Sequence, residues 1–323
     1  MYIPTIKDVL EARQVVYQHL KPTPLFHYSG LSELIGAEVW LKHEDHHPLG
    51  AFKVRGGVNF MSRLSEEEKA KGVITASTGN HGQSIAYAGR AYGVRTIVVM
   101  PEESNPNKVA SMRRLGAEIV FHGKAFDESR IRCAELAQEC GYRYVHPANE
   151  PLLIAGVATY SLEIMEELPQ VDYIFVPVGG GSGAAGACIV ARAVNPSVKV
   201  IGVQSDGAPA AYHSWKERRI VERPNATFAE GLATATGYEL TQEILWKHLD
   251  DFVLVSDHEI KEAIVHLIER AHTLAEGAGA AATAGAIKLR DRLRGKRVAC
   301  VVSGGNITTA QLRDALASTG SRQ

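Results

Sequence analysis

Along this chain, short β-branched and aliphatic runs alternate with longer stretches whose apolar positions recur at helical spacing. Gly72-Val73-Ile74-Thr75-Ala76, Val94 to Met100 and Ala117 to Phe121 read as strands, with helices from Gln83 to Tyr92 and from Asn107 to Leu115 between them. The alternation returns later. Tyr173 to Val178 is a strand, Ala184 to Val194 a helix, Lys199 to Gln204 a strand, and Arg297 to Val302 closes the series. Strands separated by helices pair in parallel through crossovers, so the pattern predicts an α/β architecture with open, mostly parallel twisted sheets flanked by helices. The 323 residues exceed what one hydrophobic core comfortably fills, about 250 to 300, so two lobes are expected. No Pro- or Ser-rich linker separates them, which points to a chain that crosses from one lobe to the other and back.

Composition narrows the classes. With 45% hydrophobic and 22% charged residues, the chain has no disordered or low-complexity signature and should fold throughout. The formal charge of −1 is spread without a basic stripe, which argues against nucleic acid or an anionic membrane surface as partner. Met1 to Asp8 lacks a basic segment followed by an apolar one, and no run approaches the roughly 18 apolar residues a membrane span needs. The expected location is the cytoplasm. Cys133, Cys140, Cys188 and Cys300 show no C-x-x-C spacing and are expected to be reduced, with Cys133 and Cys140 a buried pair on one helix face.

In open parallel sheets ligands sit beyond the carboxyl ends of the strands, so those loops are where chemistry is sought. Val178-Gly179-Gly180-Gly181-Ser182-Gly183 lies between a strand and a helix, where its N–H groups can nest a phosphate dianion. The G-x-G-x-x-G spacing is broken and no Gly-Lys-Ser/Thr follows, so it is neither a dinucleotide fingerprint nor a P-loop. Gly50-Ala51-Phe52-Lys53-Val54-Arg55-Gly56-Gly57 places one lysine between an aromatic and a β-branched residue; partial removal from water would lower its pKa and free its amine to attack an aldehyde. Ser77-Thr78-Gly79-Asn80-His81-Gly82-Gln83 follows a strand and opens a helix, which suits a carboxylate, and Asn80 can donate to a phenolic oxygen. Ser303-Gly304-Gly305-Asn306 presents a hydroxyl at the tip of the last strand. Taken singly, each could be an ordinary turn or cap.

Taken in order, G-A-F-K-V-R-G-G, S-T-G-N-H-G-Q, P-V-G-G-G-S-G, E-G-A-G-A from Glu276 and S-G-G-N resemble the fold type II enzymes that use pyridoxal 5′-phosphate (PLP), in particular their threonine/serine dehydratase and serine racemase branch. The resemblance spans nearly the whole chain. It implies that Lys53 forms the Schiff base with PLP and that Phe52 packs beside the ring. Gly179, Gly180, Gly181, Ser182 and Gly183 would hold the phosphate, Asn80 the phenolic oxygen and Ser303 the pyridine nitrogen, with Glu276 near the ring. Ser77, Thr78, Gly79, Asn80 and His81 would clamp the substrate carboxylate, and Arg130 could meet a second one. Residues 1–71 and 149–323 would form the large PLP-binding lobe and 72–148 a small mobile one. The implied activity is removal of the β-hydroxyl of a small amino acid such as threonine or serine, giving a 2-oxo acid and ammonia, in a homodimer. A serine hydroxyl cannot protonate the pyridine nitrogen as an aspartate would, which favours elimination over transamination.

Some positions depart from that pattern. Ala51 stands where serine usually precedes Phe-Lys, Ser182 replaces a fourth glycine, and Thr78 replaces the serine that racemases use as an acid on the face opposite the lysine or the alanine common in dehydratases. Racemisation is therefore the second choice, beside a dehydratase specialised for hydroxyaspartate, phenylserine or another modified hydroxy-amino acid. Where some relatives bind a divalent cation this chain has Gln204 and Ala210, so no metal is expected there, although Asp206 lies between them. His43-Glu44-Asp45-His46-His47 has the composition of a metal site, but adjacent residues of an extended strand alternate faces and cannot converge without a turn. His46 or His47 could instead line the substrate pocket. Dehydratases regulated by branched-chain amino acids carry an added C-terminal domain, and the ending soon after Ser303 suggests an enzyme without one.

Overall fold

The computed structural model describes residues 1–124 and 126–319. Among them ten strands run in chain order: β1 (Leu25–His27), β2 (Glu38–His43), β3 (Val73–Ala76), β4 (Thr96–Met100), β5 (Glu118–Phe121), β6 (Arg143–Tyr144), β7 (Tyr173–Pro177), β8 (Lys199–Ser205), β9 (Asp251–Val255) and β10 (Arg297–Val302). They form two sheets. One has the order β1-β2-β10-β7-β8-β9, the other β5-β4-β3-β6. Every pairing is parallel except that of β1 with β2. The four-stranded sheet thus comes from one continuous stretch, while the six-stranded sheet is built from the segments before and after it.

The all-apolar runs become strands because helices cover both sheet faces. All of β3 and β4, and all of β8 beyond Lys199, are buried, which is what parallel sheets require. The helix Lys53–Ser62 is wedged between two others at its paired glycines. A methyl group at Gly56 would lie 2.9 Å from the Leu153 carbonyl in helix Pro151–Glu167, and one at Gly57 would lie 2.4 Å from Ser84 Oγ in helix Asn80–Tyr92. Ser84 Oγ in turn donates to the Lys53 carbonyl at 2.6 Å. The two glycines therefore fix where Lys53 starts its helix, with one neighbour on each side.

Under that helix lies a buried ion network. Arg55, fully enclosed, donates to both oxygens of Glu44 (2.7 and 2.8 Å) and of Glu163 (2.6 and 2.8 Å), and Lys42 Nζ sits 2.6 Å from Glu163. Burial opposes ionisation of Glu44, but Arg55 and His47 outweigh it and hold its carboxyl well below the usual range. The expected cysteine pair does not form. Cys133 is buried, but Cys140 closes helix Phe126–Cys140 in a last turn, residues 138–140, that is exposed throughout. Among the described residues no helix is long and apolar enough to cross a membrane.

Candidate active site

The loops after β3, β7 and β10 and the turn leading into Lys53 converge. Phe52 N–H donates to the Ser303 carbonyl at 3.1 Å, and Ala51 bridges Gly304. Asn80 Nδ2 donates to Glu276 Oε1 at 2.7 Å, while its Oδ1 accepts from Asn306 Nδ2 at 2.8 Å. Lys53 Nζ donates to Ser182 Oγ at 2.9 Å and contacts the Pro147 carbonyl at 3.3 Å. Segments from opposite ends of the chain thus surround one amine.

Burial pulls the Lys53 ammonium down to about 8, so an appreciable fraction is neutral near pH 7 and nucleophilic. Its amine lies 5.3 Å from the centre of the Phe52 ring. Ser182 opens helix Ser182–Val194 behind Gly181, which has φ +90°. The N–H groups from Gly179 through Ala184 have no acceptor among the described residues, so several donors at a helix N-terminus are open to an anion. The loop cannot widen: a methyl group on Gly179 would lie 2.1 Å from the Gly231 carbonyl oxygen, and Thr241 Oγ1 holds the Gly180 carbonyl at 2.8 Å.

After β3, Ser77 Oγ accepts from Gly79 N–H (3.2 Å) and Gly82 N–H (2.9 Å), so this hydroxyl shapes the loop. The N–H groups of Thr78, Asn80 and His81 have no acceptor among the described residues, and the face of Gly79 where a Cβ would stand is open. The His81 ring points inward, with Nε2 2.9 Å from Thr75 Oγ1; burial and the Lys53 charge push it down to about 3, so it is neutral. Only its backbone can serve an anion. Ser303 is buried at the end of β10. Glu276 precedes helix Gly277–Lys288, and burial pushes its carboxyl up to about 7 despite the Asn80 hydrogen bond.

Arg130 is exposed on helix Phe126–Cys140, near enough for its charge to act on His146. His46 is half-exposed and His47 is buried beside Glu44, so neither shares the contacts around Lys53. Motif reading missed His146, Tyr238 and Thr241. His146 Nδ1 accepts from Ala148 and Asn149 N–H (3.1 and 2.9 Å), which leaves any ring proton on Nε2; burial, with Arg130 and Lys53 nearby, brings it down to about 4. Tyr238 meets this ring edge-on at 5.3 Å and flanks Gly180. No glycine-rich signature marks these three.

A lysine with a lowered pKa, a glycine-rich loop of open N–H donors and two neutral histidines fit a PLP site, with Lys53 and the Gly179–Gly183 loop able to hold the cofactor. The family model described as "Pyridoxal-phosphate dependent enzyme" matches residues 16–304, and the chain belongs to that family of PLP-dependent enzymes. Among its relatives, an L-threonine ammonia-lyase of Thermotoga maritima is 40% identical over 306 residues, 94% of this chain and 76% of that protein. Among solved structures, the processed threonine deaminase isoform 2 of Solanum lycopersicum superposes with a TM-score of 0.94 at 34% identity, covering 98% of this chain and 92% of that one. Maize serine racemase gives 0.92 at 28% identity, covering 98% of both chains.

Proposed function

We infer that the chain is a PLP-dependent ammonia-lyase that converts a small β-hydroxy-L-amino acid, threonine or serine, to a 2-oxo acid and ammonia. The observation that carries this is the meeting of Lys53, with its lowered pKa, and the open N–H groups of Gly179 to Ala184. Relatives named for threonine deamination support the choice of substrate. Bound PLP supplies an electron sink conjugated to the substrate Cα.

This chain's residues do the rest. Lys53 is the base that takes the Cα proton; its lowered pKa suits that task near neutrality. The N–H groups of Thr78, Asn80 and His81, at a helix start, hold the substrate carboxylate, with Ser77 shaping their loop. Ser303 would meet the pyridine nitrogen with a hydroxyl, and Asn80, with Glu276 hydrogen-bonded to it, would hold the phenolic oxygen. In net terms the β-hydroxyl leaves as water, a water is taken up, and the amino nitrogen leaves as ammonia. Residues 72–148 act as a mobile lobe closing over the substrate; the ion pair between Lys108, after β4, and Glu230, before β9, is one tie across that closure. The enzyme works as a homodimer in the cytoplasm.

The test is direct. PLP-loaded enzyme is incubated with L-threonine or L-serine while 2-oxo acid and ammonia are measured together. Equal release of both products is expected. Binding without product would leave a cofactor-binding protein without turnover, and appearance of the D-enantiomer without oxo acid would make it a racemase.

A further inference from the structure

The cluster His43-Glu44-Asp45-His46-His47 does not continue as a strand. β2 ends at His43, and the chain turns through a 3-10 segment, Glu44–His46. The turn divides the cluster. Glu44 pairs with the buried Arg55 and His47 packs against Glu44, whereas His43, Asp45 and His46 come together, with one potential ligand atom from each lying within 4.8 Å of the others. His43 Nδ1 is 3.3 Å from Asp45 Oδ1, and His46 Nε2 is 3.6 Å from Asp45 Oδ2. Two ligands on one tetrahedral zinc, each about 2.0 to 2.1 Å from the metal, are about 3.4 Å apart. The three side chains are close enough that modest rotations would bring one donor from each onto one cation.

Burial points the same way. The His43 side chain is 1% exposed and that of Asp45 7%, yet His43 Nδ1 and Asp45 Oδ1 have no hydrogen-bond partner. Unpaired buried polar atoms are uncommon and call for a reason. The other ring nitrogen of His43, Nε2, lies 2.9 Å from the Tyr28 hydroxyl. When Nε2 carries the proton toward Tyr28, as metal-binding histidines use their second nitrogen, the bare Nδ1 lone pair confronts a carboxylate oxygen. A cation between them turns that repulsion into coordination. His46, half-exposed, approaches Asp45 Oδ2 from the solvent side.

We propose that His43, Asp45 and His46 bind a divalent cation of the zinc type, with water as fourth ligand. Two imidazoles and one carboxylate favour such a metal over magnesium, which prefers an all-oxygen shell. The site is structural. Asp45 Cβ lies 3.4 Å from where a Cβ on Gly305 would stand, and Gly305 N–H donates to the Gly50 carbonyl at 2.9 Å, so a bound cation would brace the turn leading to Lys53 against the loop after β10.

The test uses PLP-loaded, tag-free enzyme, stripped with a chelator and dialysed. It is titrated with zinc chloride by calorimetry and with cobalt chloride by visible absorption. One zinc per chain, the intense bands of tetrahedral cobalt(II), and a thermal midpoint raised by zinc but not magnesium are expected. His46→Ala, at a half-exposed position that should leave the fold intact, should weaken zinc at least about tenfold, and Asp45→Asn likewise. Zinc binding unchanged in His46→Ala overturns the proposal even if Asp45→Asn does not fold. No zinc uptake by the parent also overturns it, and would leave the direct contact of His43 with Asp45 as the account of the cluster.

Discussion

Replacing Glu276 with glutamine should make the protein's stability respond differently to pH. Burial raises this carboxyl from 4.5 to about 7 in the folded chain, so the folded state holds the proton more tightly than the unfolded one. The sign follows. Below pH 4.5 both states are protonated and nothing is lost; as pH rises toward 7 the unfolded chain ionises first, and stability falls. At about 1.4 kcal/mol per pH unit, the loss between about pH 5 and about pH 8 is about 2.5 kcal/mol. Glutamine keeps an amide oxygen for Asn80 Nδ2 and does not titrate. Urea unfolding of the cofactor-free parent and of Glu276→Gln across that range should give curves that diverge with rising pH, the variant becoming the more stable. All other titrations are shared and cancel in the difference. Parallel curves would show that Glu276 is ordinarily solvated, and the reading of this pocket as dry enough to hold Lys53 partly neutral would go with it.

Three further outcomes follow from the geometry. Arg55→Leu removes the guanidinium shared by the buried carboxylates Glu44 and Glu163, leaving Glu163 to Lys42 and Glu44 to His47, and should cost about 3 kcal/mol by urea unfolding, whereas a loss under about 1 kcal/mol would mean that water reaches the network. Gly179→Ala drives a methyl group to 2.1 Å from the Gly231 carbonyl, so the phosphate loop must shift; fluorescence titration should show PLP affinity falling at least about tenfold, and unchanged affinity would place the phosphate elsewhere. Thr78→Ala should leave dehydration within about tenfold if Thr78 only lines the carboxylate loop, a barrier change of about 1.4 kcal/mol. Loss of solvent deuterium incorporation into a D-product in that variant would reveal a racemase acid instead.

Much of the parallel scaffold was legible because buried parallel strands are nearly continuous apolar runs. Arg297–Val302 falls where the pattern put it, and Val73–Ala76 and Glu118–Phe121 are within a residue. β1, β2, β6 and β9 were not read: β1 and β6 have three and two residues, β2 mixes charged and apolar side chains, and the short apolar run of β9 carries no flanking signal of its own. Glycine-rich loops announce themselves because backbone groups do their work at fixed spacing. The Arg55 network does not, since Glu44, Arg55 and Glu163 are ordinary charges until folding joins positions 108 residues apart. His146 and Tyr238 stayed hidden for the same reason. The turn at Glu44–His46 was invisible because nothing local forbids the strand from continuing.

The claim that Lys53 carries PLP and drives the elimination is tested most directly by reducing the PLP-loaded enzyme with borohydride and mapping the modified peptide by mass spectrometry. The account predicts one modified lysine, Lys53, in the parent. In Lys53→Ala it predicts loss both of the visible absorbance of bound cofactor and of 2-oxo acid release from L-threonine and L-serine. Modification of a different lysine, or turnover that survives in Lys53→Ala, would contradict it.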